Sequence, residues 1–291
     1  MKVSLPKNVG HDLGGFAALA DLWAHTANCT FTQIELDLGA VVWLDADMCA
    51  PFGALLHALG QRINTIQLLN LRPDVERALA QSGFLSFYGG KTAPDRWGTT
   101  LPYQRFDPKD DRYFADYVTN KVLHHSELPV MSNGLVKKLS ESLFELFNNA
   151  VLHSQTRLGI FCCGQFFPKR SQLNFSIADL GIGIRRNVVE KTGLTLDAAE
   201  AIVWATTGRN TTRRGAIPGG LGLKLLMQFV ALNGGHVQIV SDAGYWRWHG
   251  GKGSAVMLDQ PFPGTVVNVE INTADDQSYM LTSEAQDRHI F

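Results

Sequence analysis

The chain has 291 residues, 45% hydrophobic and 18% charged, with a net charge of −1 and no long run of one sign. That is enough apolar material for one or two domains with a real core, and the charge balance gives no electrostatic case for a nucleic-acid or membrane-surface partner. No run of about 18 apolar residues predicts a membrane span, and the N-terminus, MKVSLPKNVGHDLGG, lacks the apolar stretch of a secretory signal.

The four cysteines, Cys29, Cys49, Cys162 and Cys163, form neither a CxxC pair nor a Cys/His set with zinc spacing. Free thiols fit a reducing compartment, so a cytoplasmic protein is expected. Residues 16–27 place Phe16, Leu19, Leu22 and Trp23 at helical spacing, and 31–38 alternate as a strand does. VVWLDAD is an apolar run closing on Asp45 and Asp47. A helix follows at 52–59, and TIQLLNL at 65–71 reads as a buried strand. Pro73 opens a helix over 75–81 that Gly83 closes. This β, α, β, α order favours a parallel or mixed sheet covered by helices.

The stretch 89–100, GGKTAPDRWGTT, is the linker candidate. Beyond it LPYQRF reads as a strand and 111–124 as a helix. His124 and His125 precede Ser126, Glu127, Leu128 and Pro129. Pro129 stands too close for a long helical hairpin, so this reads as a satisfied or exposed pair and not a phosphoacceptor box.

The stretch SESLFELFNNAVLHS at 140–154 reads as one helix, starting near Ser132 or Asn133. Leu139, Leu143, Phe147 and Ala150 recur on one side, while Glu145 and Asn149 project together from another. A carboxylate that can accept a proton thus stands one turn from an amide oxygen that can bind a cation; alone, the pair reads equally well as solvated. GIFCCGQF reads as a strand with one thiol on each face.

Asp179 ends the next strand, and Gly181 and Gly183 permit a tight turn. A carboxylate there suits an exocyclic amine such as that of adenine; a plain turn is the alternative. In GRNTTRRGAIPGGLGL, Gly219, Gly220 and Gly222 lead into a helix at 223–232, offering bare amides to an anion. Arg209, Thr211, Thr212, Arg213 and Arg214 are phosphate donors in the same loop; a mobile surface loop is the alternative. The stretch is neither a P-loop nor a dinucleotide fingerprint. Apolar strands follow at 236–241, 245–249, 254–258 and 265–271.

Two resemblances follow from these motifs. Residues 30–90, with a strand ending in Asp45, a helix, a second apolar strand and NLRPDVERALAQSGF, resemble a STAS domain of bacterial anti-sigma-factor antagonists. In that family a serine or threonine after the aspartate accepts phosphate. Here Ala46 has no hydroxyl, so the resemblance implies a degenerate docking or scaffolding module; an unrelated small α/β domain is the alternative.

ELFNNAVLHS, DLGIG and GGLGL, in that order, resemble the N box and two glycine boxes of the GHKL (histidine kinase-like) ATPases, over roughly residues 132–272. GGHVQIVSDAG and GTVVNVEI resemble that family's closing strands. The resemblance implies an α/β fold of Bergerat type, a mixed, mostly antiparallel sheet with helices on one face, binding ATP with Mg²⁺. It assigns Glu145 as general base and Asn149 as Mg²⁺ ligand, with His153 near the phosphates; a helix cap is the alternative for His153. Asp179 would read the adenine amine, with Gly181 and Gly183 beneath the base and Thr265 in support. Gly219, Gly220, Leu221 and Gly222 would hold the triphosphate, with Arg213 and Arg214 in a lid at 208–218.

The implied organisation is a STAS-like domain at 1–95, a connecting segment at 96–131 and the ATPase domain at 132–291. The implied activity is an anti-sigma-type serine/threonine kinase or regulatory switch acting on a separate protein, STAS-like or another regulator. A slowly hydrolysing ATP-gated switch and a nucleotide sensor without chemistry are the alternatives, and a homodimer stays open. The stretch after Ile271 reads as a polar tail.

Overall fold

The computed structural model describes residues 1–207 and 221–287. They form a mixed α/β structure with parallel and antiparallel sheets. The N-terminal strands β1 (Lys2–Ser4), β3 (Gln33–Asp37) and β5 (Thr65–Leu69) make a three-stranded parallel sheet, and β2 (Asn8–Val9) pairs with β4 (Trp43–Leu44). Helices α1 (Leu13–Thr26), α2 (Cys49–Gly60) and α3 (Pro73–Gln81) accompany them. The expected buried strand at 65–71 is β5, an edge strand without a fully buried residue, because it pairs on one side only.

The larger sheet has the order β6 (Thr100–Phe106), β7 (Ile160–Phe167), β8 (Gln172–Asp179), β10 (Lys252–Asn272), β9 (His236–His249). Expected to be mixed and mostly antiparallel, it is antiparallel at every pairing. The four separate strands expected after 235 are two long ones. They are joined at Gly250 and Gly251, both at positive φ (55° and 78°), as a tight hairpin with the right-handed strand twist requires.

One face of this sheet carries Cys162, Phe175, Ile177, Ile239 and Val269, and packs against α5 (Asn133–His153) and α8 (Leu221–Asn233). The other carries Phe161, Cys163, Ala178, Val240 and Val266, and packs against α1 and α2. The adjacent thiols therefore do point to opposite faces, as strand alternation demands. Helix α2 is buried at nearly every position because it lies between the two sheets. The helices expected on one face are thus matched by a second helical layer on the other, drawn from the N-terminal part of the chain.

Within residues 96–131 the expected strand at LPYQRF and the expected helix at 111–124 are both present. Strand β6 completes the edge of the large sheet, and α4 (Asp111–Tyr117), continued by a π-helical turn at Val118–Leu123, packs Phe114 and Val122 into the core beside α5. The polar stretch after Ile271 is no free tail. Tyr279 bridges to Met131 and stacks edge-on against Phe229, and Glu284 of α9 (Thr282–Asp287) accepts from Ser132 Oγ and the Gly134 amide at the start of α5. Among the described residues no helix is long and apolar enough to cross a membrane.

Candidate functional site

Helix α5 starts at Ser132, whose hydroxyl accepts from the Leu135 amide at 3.2 Å, the N-cap arrangement for serine. Leu139, Leu143, Phe147 and Ala150 are buried against the sheet, and Glu145 and Asn149 are half-buried on a different side, as their spacing requires. The helix ends at His153, whose side chain lies outside the described residues. Its C-cap Ser154 is buried and turns its hydroxyl back to the Ala150 carbonyl.

The glycine turn meets the helix here. The Ile182 amide donates to the Ser154 carbonyl at 2.8 Å, and a Cβ on Gly181 would stand 2.1 Å from that same oxygen. No side chain fits at 181, so the glycine is a packing requirement. Gly183 has φ +73°, the left-handed region where glycine is least strained. Asp179 Oδ1 accepts from the Gly181 amide at 2.9 Å and closes the turn. Burial pushes the Asp179 carboxyl up to about 7, against hydrogen bonds from Gly181 and Ser154 that favour its charged form.

Thr265 stands opposite Asp179 in the β8–β10 register and opposite Ser241 in the β9–β10 register. The Thr265 and Ser241 hydroxyls are 3.0 Å apart, and Ser241 Oγ accepts from the Ile184 amide at 2.8 Å. The outer edge of the turn lines a cleft of about 530 Å³ with Arg185, Asp242, Phe262 and Trp23 of α1.

The fold therefore brings together Asp179, Gly181, Gly183, Thr265 and the C-terminal end of the Glu145–Asn149 helix. Leu221 and Gly222 open α8, which packs on α5 through Leu226, Phe229 and Val230; only the backbone of Leu221 and Gly222 is described. Arg213, Arg214, Gly219, Gly220 and the expected lid at 208–218 lie outside the described residues. Ser154 and Ser241 were not singled out from sequence. A serine ending a helix and a serine ending a strand carry no distinctive spacing.

Asp179 is a buried carboxyl beside a turn that admits no side chain at 181, and Thr265 places a hydroxyl-bearing residue in register with it. Asn149 offers the amide oxygen that can hold a magnesium ion. The histidine pair is spent locally: His124 Nδ1 meets the Thr119 carbonyl at 2.7 Å and His125 Nε2 the Gly98 carbonyl at 3.0 Å.

A second polar cluster lies on the opposite face of the sheet, where the N-terminal unit covers it. Along β8 and β10, Asn174, Ser176, Asn268 and Glu270 alternate with apolar residues and so share one face. All four are buried, beneath His11, Asp45 and Asp47. Asp47 Oδ2 accepts from Asn268 at 2.9 Å and from Ser176 at 3.3 Å. His11 Nδ1 is 2.9 Å from Asp45 Oδ2 and 3.4 Å from Asp47 Oδ1, and Nε2 is 3.5 Å from Glu270. Glu270 also pairs with His236 at 2.9 Å.

Burial opposes a charge on His11, yet the carboxylates of Asp47, Asp45 and Glu270 outweigh it and raise the imidazole to about 12. Burial likewise disfavours ionised Glu270, but His11 and His236 hold it down at about 2. Ala46, between the two aspartates, is 1% exposed, and its amide donates to Gln165 of β7.

The chain matches no protein-family model and no curated protein.

Proposed function

We propose that residues 132–272 form a Mg-ATP-binding unit of the GHKL kind, built on a Bergerat-type fold, and that the protein is a regulatory ATPase or serine/threonine kinase acting on a separate protein partner in the cytoplasm. One observation carries this reading. The buried Asp179, its glycine turn and Thr265 converge on the end of the helix bearing Glu145 and Asn149. Sequence order alone does not require those motifs to meet.

In this reading Asp179 accepts from the adenine amine, and the turn of Gly181 and Gly183 passes beneath the base. Asn149 holds the magnesium ion, which when bound offsets the negative charge of the phosphates. Glu145 orients the attacking hydroxyl or water and takes its proton, the ordinary role of a positioned carboxylate in phosphoryl transfer. Three of the four thiols are buried and all are unpaired, which supports a reducing compartment.

The N-terminal unit fits a degenerate STAS-like scaffold. Ala46 lacks a hydroxyl and is sealed against β7, so the equivalent of an acceptor loop serves as a docking contact. A specific observation favours the ATP-gated switch as second reading. Trp23 of α1 shares a cleft with Gly181 and Gly183, so a change at the turn reaches the N-terminal unit directly.

Incubation with labelled ATP and Mg²⁺, alone and with STAS-like proteins, tests the proposal. Label transferred to a partner supports the kinase. Free phosphate without transfer supports the switch, and binding with neither leaves the sensor. Absence of ATP binding overturns the reading.

A further inference from the structure

We propose that His11, Asp45 and Asp47 form a binding site for a first-row divalent metal ion at the seam between the N-terminal unit and the large sheet. Glu270 is the carboxylate that orients the histidine. The site stands apart from the nucleotide reading, on the other face of the sheet.

The donor atoms are already gathered. His11 Nδ1, Asp45 Oδ2 and Asp47 Oδ1 come from two loops that fold against the same patch of sheet, and all three residues are buried. The separations from Nδ1 to the two oxygens, 2.9 and 3.4 Å, match the spacing of ligands that share one ion at about 2.0–2.2 Å. Two of these atoms, the buried His11 Nδ1 and Asp47 Oδ1, make close ion pairs but no well-aligned hydrogen bond. A ring N–H points along one line and cannot serve two carboxylates at once, whereas a cation placed between them serves all three donors.

The surroundings are those of a built site. A metal-bound histidine commonly donates its other ring N–H to a carboxylate, which fixes the ring and its tautomer. Glu270 occupies that position at Nε2 and is itself held by His236. Asp47 is held through its second oxygen by Asn268 and Ser176, and Asp45 through its own by Trp43 Nε1 at 2.5 Å. Arg170 lies over the Trp43 and Phe167 rings on the outer side of Asp45. One nitrogen and two carboxylate oxygens suit Zn²⁺ or Mn²⁺.

Chelator-stripped, nucleotide-free full-length protein, titrated with Zn²⁺ and with Mn²⁺ by calorimetry, tests this beside His11→Gln, Asp47→Asn, Glu270→Gln and Asn149→Ala. Wild type and Asn149→Ala are expected to take up one equivalent per chain. Glu270→Gln should weaken binding by about 10–100-fold, and the two ligand variants by at least as much. No uptake by the wild type, or uptake unchanged in Asp47→Asn, overturns the proposal. Should the buried variants fail to fold, X-ray absorption of the Zn-loaded wild type decides: a nitrogen/oxygen shell with one imidazole supports the site, and sulfur scattering or a shell without imidazole overturns it.

Discussion

Asp179 holds a carboxyl near neutrality, and that fixes the sign of two pH effects. Its pKa rises from 3.8 unfolded to about 7 folded, so between those values the folded chain keeps a proton the unfolded chain has released. Stability from this group is therefore present at low pH, falls as pH rises through the window and stays lost above it, a span on the order of 4 kcal/mol. Asp179→Asn cannot ionise and should flatten that slope in urea titrations run between about pH 4 and about pH 8. ATP affinity should move the other way, climbing as the carboxylate forms, and Asp179→Asn should weaken ATP binding by about tenfold or more. A wild-type affinity that is flat across neutrality removes the adenine role from Asp179.

Glu145 and Asn149 separate chemistry from binding. Glu145→Ala should retain ATP binding while turnover drops by about 10²-fold or more, as loss of a general base does. Asn149→Ala should lose the Mg²⁺-dependent part of binding. Equal turnover in Glu145→Ala and wild type would withdraw the base assignment. This pair was legible because helical spacing alone puts the two residues on one side. Ser154 was not, because its importance comes from the backbone carbonyl it presents to a glycine loop distant in sequence.

At the scale of elements, the contact between the end of α5 and the glycine turn has no slack. An alanine at 181 places its methyl 2.1 Å from the Ser154 backbone oxygen, which is not the end of a flexible side chain. Gly181→Ala should therefore destabilise the protein by about 1–3 kcal/mol, as overpacking does, and impair nucleotide binding with it. A variant with wild-type melting and ATP affinity would mean the turn can move away from the helix.

Element identity was largely readable: α5, α3, β3 and the strand halves of Cys162 and Cys163 follow from periodicity. What failed were matters of partnership. The sequence TIQLL is apolar enough for a central strand, but β5 has one neighbour. Asn174, Ser176, Asn268 and Glu270 were not singled out, and another part of the chain covers them. Local pattern states which side of a strand is polar, not what will lie against it.

At the scale of the molecule, a single apolar cluster joins α1, α2 and β3 to Phe161, Val240, Phe262 and Val266 of the large sheet. Phe262 is almost wholly buried in that cluster, so Phe262→Ala should cost about 3–5 kcal/mol. Because the cluster belongs to both parts, tryptophan fluorescence and far-UV circular dichroism should still unfold together in the variant. Two resolved transitions would mean the parts are coupled only weakly.

Cys162 and Cys163 are neighbours in sequence that inhabit separate interiors, one beneath the α5–α8 layer and one beneath α2. Burial raises both thiols well above their usual range, so neither reacts while its cover is in place. Timed alkylation read by mass spectrometry would then act as a two-channel clock within a single peptide. Mass added first at Cys163 would record the N-terminal unit lifting away, and mass added first at Cys162 the helices parting. Repeating the assay with ATP would show which lid the nucleotide holds down.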